Sequence, residues 1–406
     1  MHIIVQKFGG TSVDTDELRK KVASKIIQTK KDGMTPIVVV SALGRNGDPY
    51  ATDTLVNLAN SNHKEFNSRE LDMVMSCGEI ISAVVLANTI KSMGHSAIAV
   101  TGFQAGIITD EKHGDAEVIR VDTTYLYNIL EKGIIPVVTG FQGVTEYGEI
   151  TTLGRGGSDT TAAILGEAFK SETVEIYTDV DGVMTADPRL VTEAKVIDTI
   201  GYDEIYQMAE DGAKVVHPRA IEVAKRGNVT LKIKNTLSNA PGTIINDKNN
   251  HLKSYRYDQS QDKVITGIAH KNNIVQVNVY FEDCIERNER LMNELTNLKI
   301  SIDLINFFTD KKVFTIENTN VSKLKKVLEE YQFKYNMIEK CSKITVIGQK
   351  MRGVPGVMAK IVKALSSQNI QILQTSDSHT TISCLVKEEK TKEAVNVLHK
   401  EFKLYR

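Results

Sequence analysis

Lys7-Phe8-Gly9-Gly10-Thr11-Ser12 sets an ammonium at the end of an apolar, β-branched run and follows it with two glycines and two hydroxyls. Such a turn lets backbone N–H groups approach an anion closely while the lysine supplies a point charge, which is the chemistry of phosphate binding. A second turn, Leu153-Gly154-Arg155-Gly156-Gly157-Ser158-Asp159-Thr160, runs into an alanine-rich segment. Glycines near a helix start cost about 0.5–1 kcal/mol each relative to alanine, so a purely structural turn would rarely carry three. Arg155 is able to clamp a carboxylate with two parallel hydrogen bonds, and one of Ser158 and Asp159 is expected to cap the following helix. A third turn, from Tyr177 through Asp179, Asp181 and Gly182 to Arg189, has a composition suited to a ribose or a metal and equally to an ordinary turn. Gly212-Ala213-Lys214-Val215 adds a lysine ahead of His217-Pro218, where a lone lysine is ordinarily solvated and a lone histidine structural.

Several classes are excluded. There is no G-x-x-x-x-G-K-[ST] loop and no H-R-D or D-F-G set, and Gly154-x-Gly156 lacks the third glycine of a dinucleotide site. Neither H-E-x-x-H nor G-x-S-x-G occurs. The four cysteines, Cys77, Cys284, Cys341 and Cys384, form no C-x-x-C pair, so neither zinc nor a dithiol is expected, and no residue is assigned as a metal ligand. Cys77, with no adjacent histidine to activate it, reads as a packing residue. Lys and Arg number 50 against 51 Asp and Glu, a net charge of -1 that offers no footprint for nucleic acid or an anionic membrane. The N-terminus is too soon broken by glycine for a secretory signal, and the apolar run from Ile80 to Ala87 is about half a membrane span, so a cytoplasmic protein is expected.

The elements that must position these turns follow from periodicity. Runs at Ile3–Val5, Ile37–Ser41, Ala97–Thr101, Ile135–Thr139 and Val174–Thr178 read as strands, alternating with helical segments in the manner of an α/β domain with a parallel sheet. Leu18, Val22 and Ile26 mark an amphipathic first helix ending near Gly33. With 406 residues and about 150 per domain, two to three domains are expected. The boundaries read 1–245 for the α/β domain, 246–263 for a polar linker, and 264–340 and 341–406 for two copies of an internal repeat. Leu295, Ile300 and Ile302 match Leu365, Ile370 and Ile372, and Val327 and Leu328 match Val397 and Leu398. Each copy reads strand, helix, strand, strand, helix, a ferredoxin-like unit. The second copy lacks room for a last strand, and residues 264–269 are expected to cross over and complete its sheet.

Taken in order, Lys7 to Ser12, Ser76-Cys77-Gly78-Glu79, Leu153 to Asp159, Thr178 to Gly182 and Gly212 to Val215 resemble the motif series of the aspartate kinases, and the repeats resemble their paired ACT domains. The nearest likeness is to the monofunctional bacterial type of the diaminopimelate and lysine branch. The resemblance implies an amino-acid-kinase-like three-layer domain with a mainly parallel sheet, followed by two ferredoxin-like α+β ACT domains. It implies phosphoryl transfer from ATP, with Mg²⁺ bound mainly through the nucleotide phosphates, to the side-chain carboxylate of L-aspartate. Lys7 and Asp159 would be catalytic. Lys7, Phe8, Gly9, Gly10, Ser41, Thr178, Asp179, Met184, Arg189, Lys214 and Val215 would line the ATP site. Ser41, Thr52, Glu79, Phe141, Arg155, Gly156, Gly157 and Ser158 would line the aspartate site, with Arg155 on a carboxylate and Glu79 on the α-ammonium. An amino-acid effector, lysine or meso-diaminopimelate with threonine as a further candidate, would bind near Ser301, Ile302, Asp303, Val354, Pro355, Gln371 and Ile372, in a homodimer formed through the ACT domains. The alternatives are another kinase of the same fold and an amino-acid sensor without catalysis.

Overall fold

The computed structural model describes residues 1–60, 67–213, 215–247, 265–281, 285–349, 351 and 355–406. Contacts divide the chain into two compact units that do not follow its order. The first is Met1–Val183, Val196–Ala209 and Lys214–Arg256; the second is Met184–Lys195, Glu210–Ala213 and Tyr257–Arg406. Two pieces of the segment read as one α/β domain therefore belong with the repeats. Of the segment read as a linker, only Asn246 and Asp247 lie within the described residues.

The first unit opens with β1 (Ile3–Phe8), α1 (Asp16–Lys31), β2 (Thr35–Val40), α2 (Thr52–Ala59), α3 (Ser68–Ser92), β3 (Ala97–Val100), β4 (Ile107–Thr109) and β5 (Val118–Val121). It continues through α4 (Thr124–Glu131), β6 (Ile135–Thr139), β7 (Gln142–Thr145), β8 (Ile150–Thr152), α5 (Gly157–Ala168) and β9 (Thr173–Thr178). Last come β10 (Thr199–Ile200), α6 (Tyr202–Glu210), α7 (Pro218–Arg226), β11 (Thr230–Asn235) and β12 (Thr243–Ile245). The five expected strands are β1, β2, β3, β6 and β9. They belong to an eight-stranded sheet in the order β10-β12-β11-β9-β1-β2-β6-β3, parallel except where β11 meets β12. A smaller sheet, β5-β4-β7-β8, stands apart from it.

Helix α1 shows why the first β-α-β unit was readable. The Thr15 hydroxyl accepts from the Leu18 N–H, Asp16 and Glu17 sit in the first turn, and Lys30 and Lys31 sit in the last, complementing the helix dipole. Val22, Ala23 and Ile26 join Leu86 and Ile90 of α3 in a core that also holds Phe8, Val38, Val40 and Val137 from the sheet. Strand alternation then sends Lys7 to the other face with Val5, toward α5. Helix α3, which contains the apolar run Ile80–Ala87, has 25 residues and is long and apolar enough to cross a membrane by length and composition alone. Its mixture of small, apolar and polar residues serves a different end: Asp72, Ser76, Glu79 and Ser82 are buried inside the unit.

In the second unit β13 (Ile265–Tyr280), β14 (Asp303–Phe307), β15 (Lys311–Glu317), β16 (Lys334–Gly348), β17 (Gln374–Asp377) and β18 (Thr381–Lys387) form one sheet ordered β14-β15-β13-β16-β18-β17. The two repeats share it because β13 and β16 each run through both. Ile274–Tyr280 pairs with β15 and with the first half of β16, whereas Ile265–Lys271 pairs with Gly348–Lys343. An irregularity between Lys271 and Ile274, with Asn273 at φ 60, separates the two halves. Ile265 and Ile268 are buried in the second repeat's core with Leu365, Val395 and Leu398, and Val264 lies outside the described residues. Leu295, Ile300 and Leu328 fill the first repeat's core as Leu365, Ile370 and Leu398 fill the second's. Ala186 and Val191, from the inserted Met184–Lys195 segment, complete the second core.

Candidate active site

In β1 the register sets Phe8 beside Val40 of β2 and Tyr177 of β9, and Val40 beside Thr139 of β6. Gly9, Ser41, Gly140 and Thr178 therefore lie at about one level at the carboxyl ends of four neighbouring strands, where open parallel sheets bind ligands. Close approach accounts for the glycines. A Cβ on Gly10 would lie 2.3 Å from the Ala42 carbonyl oxygen, and one on Gly156 would lie 2.1 Å from the His217 ring. Gly156 also has φ 70, the left-handed conformation that glycine adopts without strain.

These turns line a cleft of about 310 Å³ that gathers Lys7, Gly10, Ser41, Thr52, Glu79, Phe141 and the whole run Arg155–Asp159. Lys7 Nζ stands 2.7 Å from Asp159 Oδ1, and both side chains are largely buried. The contact is an ion pair without the directionality of a hydrogen bond, because the same oxygen has no hydrogen-bond partner among the described residues. Asp159 lies in the first turn of α5, where the helix dipole favours a negative charge. The expectation that Ser158 or Asp159 caps α5 is overturned: Gly156 is the N-cap. A left-handed cap frees both side chains from local hydrogen bonding, and Asp159 turns to Lys7.

Glu79 is the most perturbed acid in the cleft. It is 3% exposed, and burial pushes its carboxyl up to about 8 against the opposing pull of the Ala42 N–H, which donates to Oε1 at 3.1 Å. Its other oxygen, Oε2, is buried with no hydrogen-bond partner among the described residues. Arg155 lines the same cleft, exposed and making no ion pair among those residues. An ionisable carboxylate with a spare oxygen and an uncommitted guanidinium in one cleft are complementary to the ammonium and carboxylate of an amino-acid zwitterion. Phe141 holds φ 70, sparsely populated for an aromatic residue, while its N–H donates to Thr161 Oγ1 and its carbonyl accepts from Leu153 N–H.

The nucleotide-side residues are placed less uniformly. Thr178 Oγ1 donates to Asp179 Oδ1 at 3.2 Å, and Asp179 pairs with Arg45 at 3.1 Å. Val215 is half-buried in the first unit, Lys214 lies outside the described residues, and Met184 and Arg189 belong to the second unit. Arg189 is spent on Asp187, which accepts from its Nε and Nη2. His217 caps α7, accepting from the Arg219 N–H. Cys77 is exposed on α3, not packed as expected, because it falls off the face that buries Asp72, Ser76 and Glu79.

Of the expected effector residues, Ser301, Ile302 and Asp303 lead into β14 and Gln371 and Ile372 precede β17, so they occupy equivalent places in the two repeats. Pro355 is exposed before the helix Val357–Ser367, and Val354 lies outside the described residues. Three residues the sequence reading passed over hold this region. Lys343 pairs with Asp303 at 2.6 Å and with Asp211 at 2.8 Å. Burial works against its charge, but the two carboxylates prevail and raise its pKa. Gln276 donates to Gln374 Oε1 at 2.9 Å, and Gln374 donates to Asn306 Oδ1 at 2.6 Å. In sequence these are an isolated lysine and two glutamines within strands, with no spacing to mark them. Arg45 and Asn46 line the cleft equally unannounced.

Comparison with known proteins places this geometry. The family model for the amino acid kinase family matches residues 2–235, and an ACT domain model matches 336–400. Aspartokinase 1 of Bacillus subtilis (strain 168) is 42% identical over 405 residues, covering 100% of both chains. The aspartokinase of Geobacillus stearothermophilus is 39% identical, covering 100% of this chain and 98% of its own. The crystal structure of E. coli aspartokinase III in complex with aspartate and ADP has a TM-score of 0.79 at 24% identity, over 98% of this chain and 99% of that one, a likeness of fold.

Proposed function

We infer, since this chain belongs to the aspartokinases of the amino acid kinase family, that it transfers the γ-phosphoryl group of ATP to the side-chain carboxylate of L-aspartate, giving 4-phospho-L-aspartate and ADP. The observation that carries this reading is the meeting of Glu79 and Arg155 with the Lys7–Asp159 pair in one cleft.

The substrate carboxylate is already ionised, so it attacks phosphorus without a general base, forming the acyl–phosphate bond as the bond to the β-phosphate oxygen breaks and ADP leaves. The chain's part is positioning and charge neutralisation. Lys7 and the Gly10 N–H group meet the charge that develops on the transferring group, and Asp159 holds Lys7 in place; the Gly9 N–H, expected to join them, donates to the Tyr177 carbonyl. Arg155 takes the α-carboxylate and Glu79 the α-ammonium, leaving the side-chain carboxylate directed at the phosphoryl group. Ser41, Thr52, Phe141 and Ser158 shape the remainder of the aspartate pocket. Thr178, Asp179, Lys214 and Val215 contact the nucleotide, whereas Phe8, expected to join them, has its side chain buried in the core beneath the turn and does not reach it. The phosphate-facing groups are an ammonium and a backbone donor, with the nearby carboxylate committed to Lys7. That donor set suits an anion whose Mg²⁺ is held chiefly by its own phosphates.

The repeats at 264–340 and 341–406 act as regulatory ACT domains of a cytoplasmic homodimer. They take lysine, meso-diaminopimelate or threonine near Ser301–Asp303, Val354–Pro355 and Gln371–Ile372. The product feeds the lysine, threonine and methionine branches of amino-acid biosynthesis. A hydroxamate assay with ATP, Mg²⁺ and L-aspartate, run beside L-glutamate, tests the central reaction. Aspartate-dependent hydroxamate is expected, and its absence, or equal turnover without aspartate, overturns the reading.

A further inference from the structure

Asp72 is a carboxylate with no solvent exposure that the catalytic reading leaves unused. It lies on α3 with Ser76 and Glu79 at i, i+4 and i+7, so the three share one face, and Glu79 follows it by about 10 Å of rigid helix. Its Oδ1 accepts from Thr152 Oγ1 at 2.5 Å, its Oδ2 from His113 Nδ1 at 2.9 Å, and both oxygens from the Gly114 N–H at 3.2 and 3.0 Å. Because a carboxylate only accepts, the His113 Nδ1 carries the proton.

Each of these partners leads to Arg155. Thr152 ends β8, three residues before Arg155. The loop at 113–116 is tied to the same stretch by other bonds: the Ala116 N–H donates to the Thr152 carbonyl at 2.9 Å. Arg219 donates to Asp115 Oδ1 at 2.7 Å and to the Leu153 carbonyl at 2.5 Å. Gly154, with φ 70, lies so close to Asp115 that a Cβ would sit 2.8 Å from its Oδ1. The stretch carrying Arg155 and the loop beside it thus form one splint, and Asp72 is where α3 grips it.

We propose that Asp72 is a positioning residue for substrate selection: by fixing the Thr152–Gly154 stretch to the helix that carries Glu79, it sets the spacing between Glu79 and Arg155 and so selects an amino acid of aspartate's length over one that is a methylene longer. This rests on the reading of Glu79 and Arg155 as the receptors for the two ends of the zwitterion. Once the spacing relaxes, the α-carbon is no longer held where only the shorter side chain meets the phosphoryl group.

The test is steady-state kinetics of the full-length chain and of Asp72→Asn, with aspartate and with glutamate. Asn is isosteric but has one acceptor oxygen in place of two, so it cannot accept from Thr152 on one side and from His113 on the other as Asp72 does. The variant is expected to raise KM for aspartate by about tenfold or more, to leave KM for ATP within about twofold, and to lower the aspartate-to-glutamate ratio of kcat/KM by about tenfold. Thr152→Val, which retains the His113 and Gly114 bonds, should move the same quantities in the same direction by a few-fold, and it decides the matter should Asp72→Asn not fold. A lowered melting temperature with unchanged aspartate KM and an unchanged substrate ratio overturns the proposal and leaves Asp72 a structural residue. So does an equal loss with both amino acids. If the unsubstituted chain fails to phosphorylate aspartate, it is the reading of the site that falls.

Discussion

The cleft of the first unit and the shared sheet of the second are assembled on opposite plans. In the first unit the turns after β1, β2 and β6 follow neighbouring parallel strands and the glycine turn at 154–159 follows β8 of the smaller sheet, so each cleft-forming turn is local in sequence. In the second, β13 and β16 each serve two repeats, and the polar contacts that hold the repeats together come from single residues far apart in the chain, Lys343 with Asp211 and Asp303, and Gln374 with Gln276. The difference teaches that a site which must cradle an anion with backbone N–H groups writes itself as contiguous glycines. A unit built on paired strands distributes its specificity over residues that carry no motif.

Removing one group from each plan sharpens the contrast. Lys7→Ala takes away the cleft's phosphate-facing ammonium and should lower kcat by about a thousandfold, the scale of losing a preorganised electrostatic contact, with far-ultraviolet circular dichroism unchanged. Retention of wild-type kcat would show that the cleft does not depend on its motif lysine. Lys343→Met should do the reverse, acting on stability. Asp211, whose side chain is 5% exposed, would lose its cation, while Asp303, at 58%, would be left in water. A loss of about 3 kcal/mol in urea titration is expected, nearly all from Asp211. A change under about 0.5 kcal/mol would place the repeats' stability in their apolar cores alone.

The smallest effect concerns protons. Burial raises Glu79 to about 8, so between the ordinary value of 4.5 and about 8 the folded chain holds a proton that the unfolded chain has released. Stability attributable to this group therefore falls as pH rises through that window and is flat above it. Glu79→Gln should remove the slope. An α-ammonium seated against Glu79 favours the ionised form, so aspartate binding near pH 7 should release up to about one proton. Calorimetry in buffers of different ionisation heat measures this release, and none would mean that Glu79 does not meet the ammonium.

Much of the first unit was legible because periodicity and glycine spacing report local geometry. Ile3–Val5 and Ile37–Ser41 announced β1 and β2, and Lys7 to Ser12 and Leu153 to Asp159 announced the turns. The N-cap of α5 was not legible: a left-handed Gly156 is chosen by the His217 ring packed against it, a contact across 61 residues of chain. The exposure of Cys77 depended likewise on which face of α3 turns inward, and that face is set by buried acids whose partners lie elsewhere. In the repeats, Leu295 and Leu365 disclosed the shared pattern, but nothing in the spacing around Lys271 shows that β13 is one strand with an irregularity between two sheet partners.

The sequence by itself determined the order of elements, the repeat, and the residue types of an anion cleft, because backbone conformation and side-chain periodicity are set within a few residues. Tertiary structure alone decided that Glu79 is buried enough to hold a proton near neutrality, that Asp159 serves Lys7 and caps nothing, and that pieces of the α/β sequence join the repeats' core. Those outcomes turn on desolvation and on packing between distant segments, and both depend on what the rest of the chain places around a residue.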